Sequence, residues 1–288
     1  MTQVTTTYGI IGYPVEHSLS PLMHNTAFKE LQVEAVYKLF PLQEDELAQF
    51  FKDLRDVSSP IFGLNVTVPY KEIVIEYLDS VTAFAKKALS VNTIVIDEDR
   101  KLIGYNTDGP GFLAHLVELG FNTHGKRIAI LGAGGTTRAI LASLCLIPER
   151  PESIRIYNRT QEKAKRLVHD LSQHMDVSNV SVVASIDDLN IELSDLLINT
   201  TSVGLNDSED CLIDDQLLHA DMLVYDVVYK PRETLLLKLA REKGAKTANG
   251  LGMLFYQGML SLQHWAGQEL PEDVKDKVRD VLEKGSLK

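Results

Sequence analysis

Ile128-Ala129-Ile130-Leu131-Gly132-Ala133-Gly134-Gly135 is a short apolar run that breaks on glycines where a strand would turn into a helix. A helix pattern follows from Thr136 to Leu144, and then a second strand pattern, Ser153 to Tyr157, ends on Asn158-Arg159-Thr160. This order is that of the first half of a dinucleotide-binding unit. Gly132 permits the tight turn, Gly134 lets a pyrophosphate approach the backbone, and the amides opening the helix, with its dipole, favour negative charge. The third fingerprint position carries Thr137 in place of glycine, so the motif is incomplete and rests on its context. Where a NAD-binding unit places an acid for the ribose hydroxyls, this chain has Asn158 and Arg159. An arginine pairs with a 2′-phosphate that an acid would repel, which points to NADP as cofactor.

Working outward, strand and helix signals alternate along the chain, the pattern of an α/β protein with parallel strands. In the first half, strands are read at 9–12, 35–40 and 63–68, helices at 21–31, 43–55 and 70–89, and a hairpin at 93–97 and 101–105. Asn106-Thr107-Asp108-Gly109 is read as a break before a helix from Gly111 to Leu119. Strands at 128–131, 153–157, 180–184, 195–198 and 222–227 then form a doubly wound set. The expected organisation is a first α/β domain at 1–107, a Rossmann-type doubly wound nucleotide-binding domain at 108–247, and C-terminal helices at 248–288 that return to the first domain.

The chain has 288 residues, 44% hydrophobic and 24% charged, ordinary for a globular protein able to bury two cores. A net charge of −11 with no basic block speaks against nucleic acid or an acidic membrane surface as partner. Two cysteines, Cys145 and Cys211, suggest no disulfide framework, and no metal motif or long apolar span appears. A cytoplasmic address is expected, with a small-molecule substrate and a monomer or homodimer.

Four polar clusters lie at strand or loop ends of the first domain: His17 to Pro21, Asn65 to Lys71, Val91 to Thr93, and Asn106 to Gly109. Ser20-Pro21 reads as a helix start with serine as the N-cap. Asn65-Val66-Thr67-Val68 alternates, which puts two polar side chains on one face and two valines on the other. A hydroxylated substrate would supply partners for the polar face. Lys71 is the one cation in these clusters able to exchange a proton, and Asp108 would fix its position.

With these clusters, Gly132 to Ala139, Asn158 to Thr160, Asn199 to Gly204 and Gly250 to Gln257 in this order, the chain resembles the shikimate dehydrogenase family along essentially its whole length. The resemblance implies NADPH-dependent reduction of 3-dehydroshikimate to shikimate on the chorismate route to aromatic amino acids, with Lys71 and Asp108 as the catalytic pair. It implies that Ser18, Ser20, Asn65, Thr67, Asn92, Asp108, Tyr229 and Gln257 hold substrate. It places cofactor contacts on Gly132, Gly134, Gly135, Thr136, Asn158, Arg159, Thr160, Val227 and Gly250, with Lys163 as a second basic residue. Two stretches depart from the family pattern. Ala88-Leu89-Ser90 stands where Ile-Gly-Ala is usual, which is expected to reshape that loop, and Asn199-Thr200-Thr201-Ser202 stands where Asn-Ala-Thr-Pro is common. Two other readings are a quinate/shikimate dehydrogenase using NAD, against which Asn158-Arg159-Thr160 speaks, and a catalytically silent NADP-binding regulatory protein, against which the intact Lys71 and Asp108 speak.

Overall fold

A computed structural model describes residues 5–205 and 211–287. The chain divides into two compact units, one running to Gly111 and resuming at Leu254, the other Phe112–Met253. The first unit holds β1 (Thr6–Gly12), α1 (Ser20–Glu30), β2 (Ala35–Pro41), α2 (Leu47–Leu54), β3 (Ile61–Val66), β4 (Ser80–Val81), α3 (Ala83–Ala88), β5 (Thr93–Ile96) and β6 (Leu102–Tyr105). Next come α4 (Asp108–Glu118), β7 (Arg127–Leu131), α5 (Gly135–Leu146), β8 (Ser153–Tyr157), α6 (Gln161–Ser172), β9 (Val180–Val182) and β10 (Leu196–Asn199). The chain closes with β11 (Leu223–Asp226), α7 (Leu235–Glu242), β12 (Lys246–Ala248), α8 (Leu251–Ala266) and α9 (Glu272–Gly285).

The first sheet has the order β2-β1-β3-β5-β6-β4. β1 runs parallel to β2 and β3, while the hairpin β5–β6 lies antiparallel and makes the sheet mixed. Its core gathers Ile11, Phe51, Leu64, Val66, Ile94 and Leu102. The C-terminal helices return to this unit as expected. α9 packs on α1, and Trp265 of α8 lies where a Cβ on Gly63 would be, with its indole N–H donating to the Ile94 carbonyl at 3.0 Å.

Three local expectations are corrected. The region 70–89 is not one helix: a 3₁₀ turn at Ile73–Tyr77 leads to β4, which pairs with β6, before the short α3. Ile73-Val74-Ile75 is β-branched throughout and a poor helix former. The start of α1 is not capped by Ser20, which lies within the helix; the Ser18 hydroxyl instead accepts from the Ser20 N–H at 3.2 Å. The alternation at 65–68 does not persist, because β3 ends at Val66 and Val68 is 62% exposed while Val66 is in the core.

Leu89 ends α3 in the left-handed conformation, φ 50°, that glycine adopts freely. A leucine there costs roughly 1–2 kcal/mol, and bonds from the Leu89 N–H to Lys86 and from the Ser90 N–H to Ala85 hold the turn.

The second sheet is all parallel, in the order β12-β11-β10-β7-β8-β9. This is the doubly wound arrangement, with the strand order reversing between β7 and β10. Its sixth strand, β12, extends the expected set, and Leu131, Leu197 and Val224 lie in its core.

His24 in α1 is wholly buried, stacked on Tyr37 with ring centroids 4.5 Å apart, and neither ring nitrogen makes a hydrogen bond. Burial lowers its pKa from 6.5 to about 3, with the neighbouring Asn65 side chain pulling the other way. The folded pKa lies below the unfolded one, so the stability from keeping this ring neutral is present above pH 6.5 and is lost as pH falls toward 3. Loss is expected at up to about 1.4 kcal/mol per pH unit. His24→Phe should flatten the dependence between pH 6.5 and about 4, measured by denaturant unfolding with the fluorescence of Trp265, the single tryptophan, as probe.

Candidate active site

In the first unit the ends of β3, β5 and β6 meet. Asn65 lies opposite Thr93, and Thr93 opposite Tyr105. The Val66 N–H donates to the Asn92 carbonyl and the Asn92 N–H to the Tyr105 carbonyl. These pairings bring three of the polar clusters together. The fourth, at His17–Pro21, contributes Ser20 beside Tyr37, whose hydroxyl donates to Asn65 Oδ1 at 2.8 Å.

Asp108 does not sit in a break before a helix, as the sequence suggested, but is the first residue of α4. Asn106 explains this. Its Oδ1 accepts from the N–H groups of Asp108 and Gly109 at 3.1 and 3.3 Å, so it caps a helix that begins earlier than the apolar pattern. The helix start also favours the Asp108 negative charge.

Lys71 Nζ lies 2.5 Å from Asp108 Oδ2, and the two side chains are only 11% and 7% exposed. Asn92 Nδ2 donates to Asp108 Oδ1 at 2.8 Å and lies 3.2 Å from Gln257 Oε1, while Asn92 Oδ1 accepts from the Thr107 N–H at 2.7 Å. The carboxylate is therefore held on one oxygen by Asn92 and offers the other to Lys71. A buried pair held this way is costly to break, because removing one partner strands a charge.

Asn65, Asn92, Lys71, Asp108 and Gln257 thus form one buried cluster in this unit. Ser18 and Thr67 are partly exposed on the neighbouring loops, with Thr67 bonded through its N–H to Ile11. Tyr229 belongs to the second unit, on the loop after β11. Two buried members of the cluster, Tyr37 and Ser261, were not singled out from the sequence, and two more, Thr93 and Thr107, lie in its polar clusters without an assigned role. Ser261 lies one helical turn after Gln257, and that i, i+4 spacing is the signal that could have found it.

In the second unit, β7 enters the glycine turn. Gly132 has φ +111°, and a Cβ on it would collide with the Thr200 hydroxyl. Gly134 differs: its φ of −101° suits any residue, and a Cβ there would meet nothing within 4 Å. The fold does not require glycine at 134, whereas close approach of a phosphate to the backbone does. The N–H groups of the first turn of α5, at Gly135 and Thr136, have no carbonyl one turn back to meet.

Thr137, where the fingerprint has glycine, is fully buried and joins a hydroxyl relay. The Gly134 N–H donates to Thr137 Oγ1 at 3.2 Å, Thr137 meets Thr200 at 2.7 Å, and Thr200 donates to the Leu131 carbonyl at 2.7 Å. Both departures from the usual pattern are therefore partners in one relay that braces the glycine turn. Thr200→Ala is expected to loosen this turn and to lower stability by about 1 kcal/mol, the worth of one internal hydrogen bond, measured by denaturant unfolding.

The Gly132 N–H donates to the Tyr157 carbonyl at 2.8 Å, which ties this turn to the end of β8 and to Asn158-Arg159-Thr160. Asn158 Nδ2 donates to the Thr160 carbonyl at 2.8 Å, shaping that turn. Arg159 and Lys163 are exposed at the start of α6, and among the described residues neither enters an ion pair, whereas Lys165 pairs with Glu162. At the far side of the switch point the Val227 N–H donates to the Asn199 carbonyl, and the Gly250 N–H donates to the Val228 carbonyl. A Cβ on Gly250 would overlap the Val227 carbonyl oxygen, so only glycine brings these two together. Asp226, buried, accepts from Asn199, Thr234 and the Val228 N–H, and fixes where this loop leaves the sheet. Burial raises its pKa and those three hydrogen bonds oppose the rise.

Residues 10–94 match the model of the shikimate dehydrogenase substrate binding domain, and residues 115–218 that of shikimate / quinate 5-dehydrogenase. The chain is 42% identical over 273 residues to shikimate dehydrogenase (NADP(+)) of Carboxydothermus hydrogenoformans, covering 93% of this chain and 94% of that one. The chain belongs to the shikimate dehydrogenase family of oxidoreductases. The resemblance read from its motifs is borne out. A crystal structure of shikimate 5-dehydrogenase from Thermus thermophilus in complex with NADP(H) and shikimate is similar at 32% identity and a TM-score of 0.81, covering 96% of this chain and 99% of that one. The ligand-free 5-ketofructose reductase of a Gluconobacter species is similar at 30% identity and a TM-score of 0.83, covering 97% and 98%. No helix among the described residues is long and apolar enough to cross a membrane, and no group of potential metal ligands occurs among them.

Proposed function

We propose that this chain catalyses the reversible, NADPH-dependent reduction of 3-dehydroshikimate to shikimate. The observation that carries the reading is the buried Lys71–Asp108 pair set among Asn65, Asn92 and Gln257. Amide and hydroxyl groups in such density suit a substrate bearing several hydroxyls. A pair of this kind suits the protonation of a ketone oxygen.

In the reduction, Lys71 donates a proton at the substrate carbonyl oxygen, and in the reverse direction it takes that proton back. Asp108 holds the ammonium in place and is itself oriented by Asn92. Ser18, Ser20, Thr67 and Gln257 hold the substrate's remaining polar groups. Orientation of this sort supplies a large part of the acceleration.

NADPH, when bound, supplies the hydride. Gly132, Gly134, Gly135, Thr136, Val227 and Gly250 hold its backbone, and Asn158, Arg159, Thr160 and Lys163 take the 2′-phosphate region. The absence of an acid at the end of β8 and the two exposed cations beyond it support NADP over NAD. The protein acts in the cytoplasm on a small molecule, as a monomer or homodimer.

Initial rates with shikimate or quinate, each paired with NADP or NAD, test the reading. The shikimate and NADP pair is expected to exceed the other three. Faster turnover of quinate with NAD would assign the chain to a quinate/shikimate dehydrogenase instead.

A further inference from the structure

Ser261 is fully buried on α8, and none of its bonds reaches Lys71 or Asp108. Its hydroxyl donates to the Gln257 carbonyl one turn back at 2.9 Å, so the oxygen faces its other neighbours as an acceptor. Thr93 Oγ1 lies 2.7 Å away and Asn65 Nδ2 3.0 Å away, and these two fill its acceptor positions. Thr107, at 3.2 Å, has its own acceptor in Asn92 Oδ1.

The consequence falls on Asn65. Its Nδ2 carries two hydrogens, shared among Ser261 at 3.0 Å, the Asn92 carbonyl at 3.1 Å and Thr93 Oγ1 at 3.2 Å. Its Oδ1 accepts one bond, from the Tyr37 hydroxyl. Burial holds the Tyr37 pKa well above the ordinary value, with the Ser20 hydroxyl opposing, so this phenol remains a neutral donor. Both amide hydrogens are engaged inside the protein, and one acceptor position on Oδ1 remains.

We propose that Ser261 is a positioning residue: it locks the Asn65 amide so that Asn65 meets the substrate only through its carbonyl oxygen, as acceptor from a substrate hydroxyl. This rests on the shikimate dehydrogenase reading above. Without the Ser261 oxygen, one Asn65 N–H keeps only the longer bond to Thr93 Oγ1 at 3.2 Å and the Thr93 hydroxyl only Asn92 Oδ1 at 3.1 Å, and the amide is held less firmly. A substrate hydroxyl then meets a misplaced acceptor. Because the bonds of Ser261 reach substrate-holding groups and not the proton-transfer pair, the effect belongs to substrate binding.

The test is a double-mutant cycle of Ser261→Ala and Asn65→Ala, read by steady-state kinetics of shikimate oxidation with NADP. Alanine is a good helix former, so Ser261→Ala keeps α8. In the single variant the shikimate KM is expected to rise about tenfold, with kcat and the NADP KM within about twofold of wild type. In the Asn65→Ala background the same change is expected to add less than about twofold, because its target is gone. A shikimate KM in Ser261→Ala within about twofold of wild type, or a full tenfold penalty retained without Asn65, overturns the inference. Inactive wild-type protein would overturn instead the dehydrogenase reading on which it rests.

Discussion

Lys71→Ala is expected to lower kcat for shikimate oxidation by about a hundred- to ten-thousandfold, while the KM for shikimate and for NADP shifts only a few-fold. General acid–base transfer accounts for that range, and Lys71, 2.5 Å from a carboxylate in a buried cluster of amides, is the proposed donor. The variant also strands Asp108, whose other oxygen is still held by Asn92. An uncompensated buried carboxylate is destabilising by roughly 3–5 kcal/mol, so turnover is to be compared at a temperature where circular dichroism shows both proteins folded. Turnover close to wild type would remove Lys71 from the chemistry. A large rise in shikimate KM at unchanged kcat would make it a binding residue only.

Arg159→Ala is expected to raise the KM for NADP by roughly ten- to a hundredfold, the worth of a hydrogen-bonded charge pair of about 1.5–3 kcal/mol, with the lower end favoured by its exposure. NAD lacks the 2′-phosphate, so its KM should stay within about twofold of wild type, and that contrast identifies the contact. Lys163, two positions into α6, would retain part of the attraction as a point charge without the planar fork of arginine. The double variant is therefore expected to lose more than either single one. Equal losses with both cofactors would mean that Arg159 shapes the turn after β8 and does not read the phosphate.

Much of this was legible in the sequence, because the decisive signals were local. Glycine breaks a strand pattern at 132, the following helix runs apolar, and an arginine stands where an acid would otherwise be. The doubly wound sheet follows from these and from the alternation of strands and helices. Less legible were features set by tertiary pairing. The stretch Tyr70–Leu89 carries enough apolar residues for a helix, yet Asp79 and Ser80-Val81 pair with β6 and divide it. β12 is only three residues long, and its place is decided by β11 beside it.

The same division holds in the site. Lys71 and Asp108 could be picked out as the cation and carboxylate of neighbouring polar clusters. The helical position of Asp108 depends on Asn106 capping through its side chain, which outweighs two glycines and a proline in the first turn. Ser261, 169 residues beyond Asn92, joins the cluster only when α8 returns to the first unit, and its spacing from Gln257 is the one local sign of that role. Thr137 and Thr200 each looked like a departure from the usual pattern, and their pairing between α5 and the end of β10 shows them to be one bridge.

The reaction itself is tested by incubating the purified protein with 3-dehydroshikimate and NADPH, following NADPH by absorbance and quantifying the product by mass spectrometry. One shikimate formed for each NADPH consumed is the expected result. Undiminished NADPH, or its loss without shikimate, would contradict the assigned reaction.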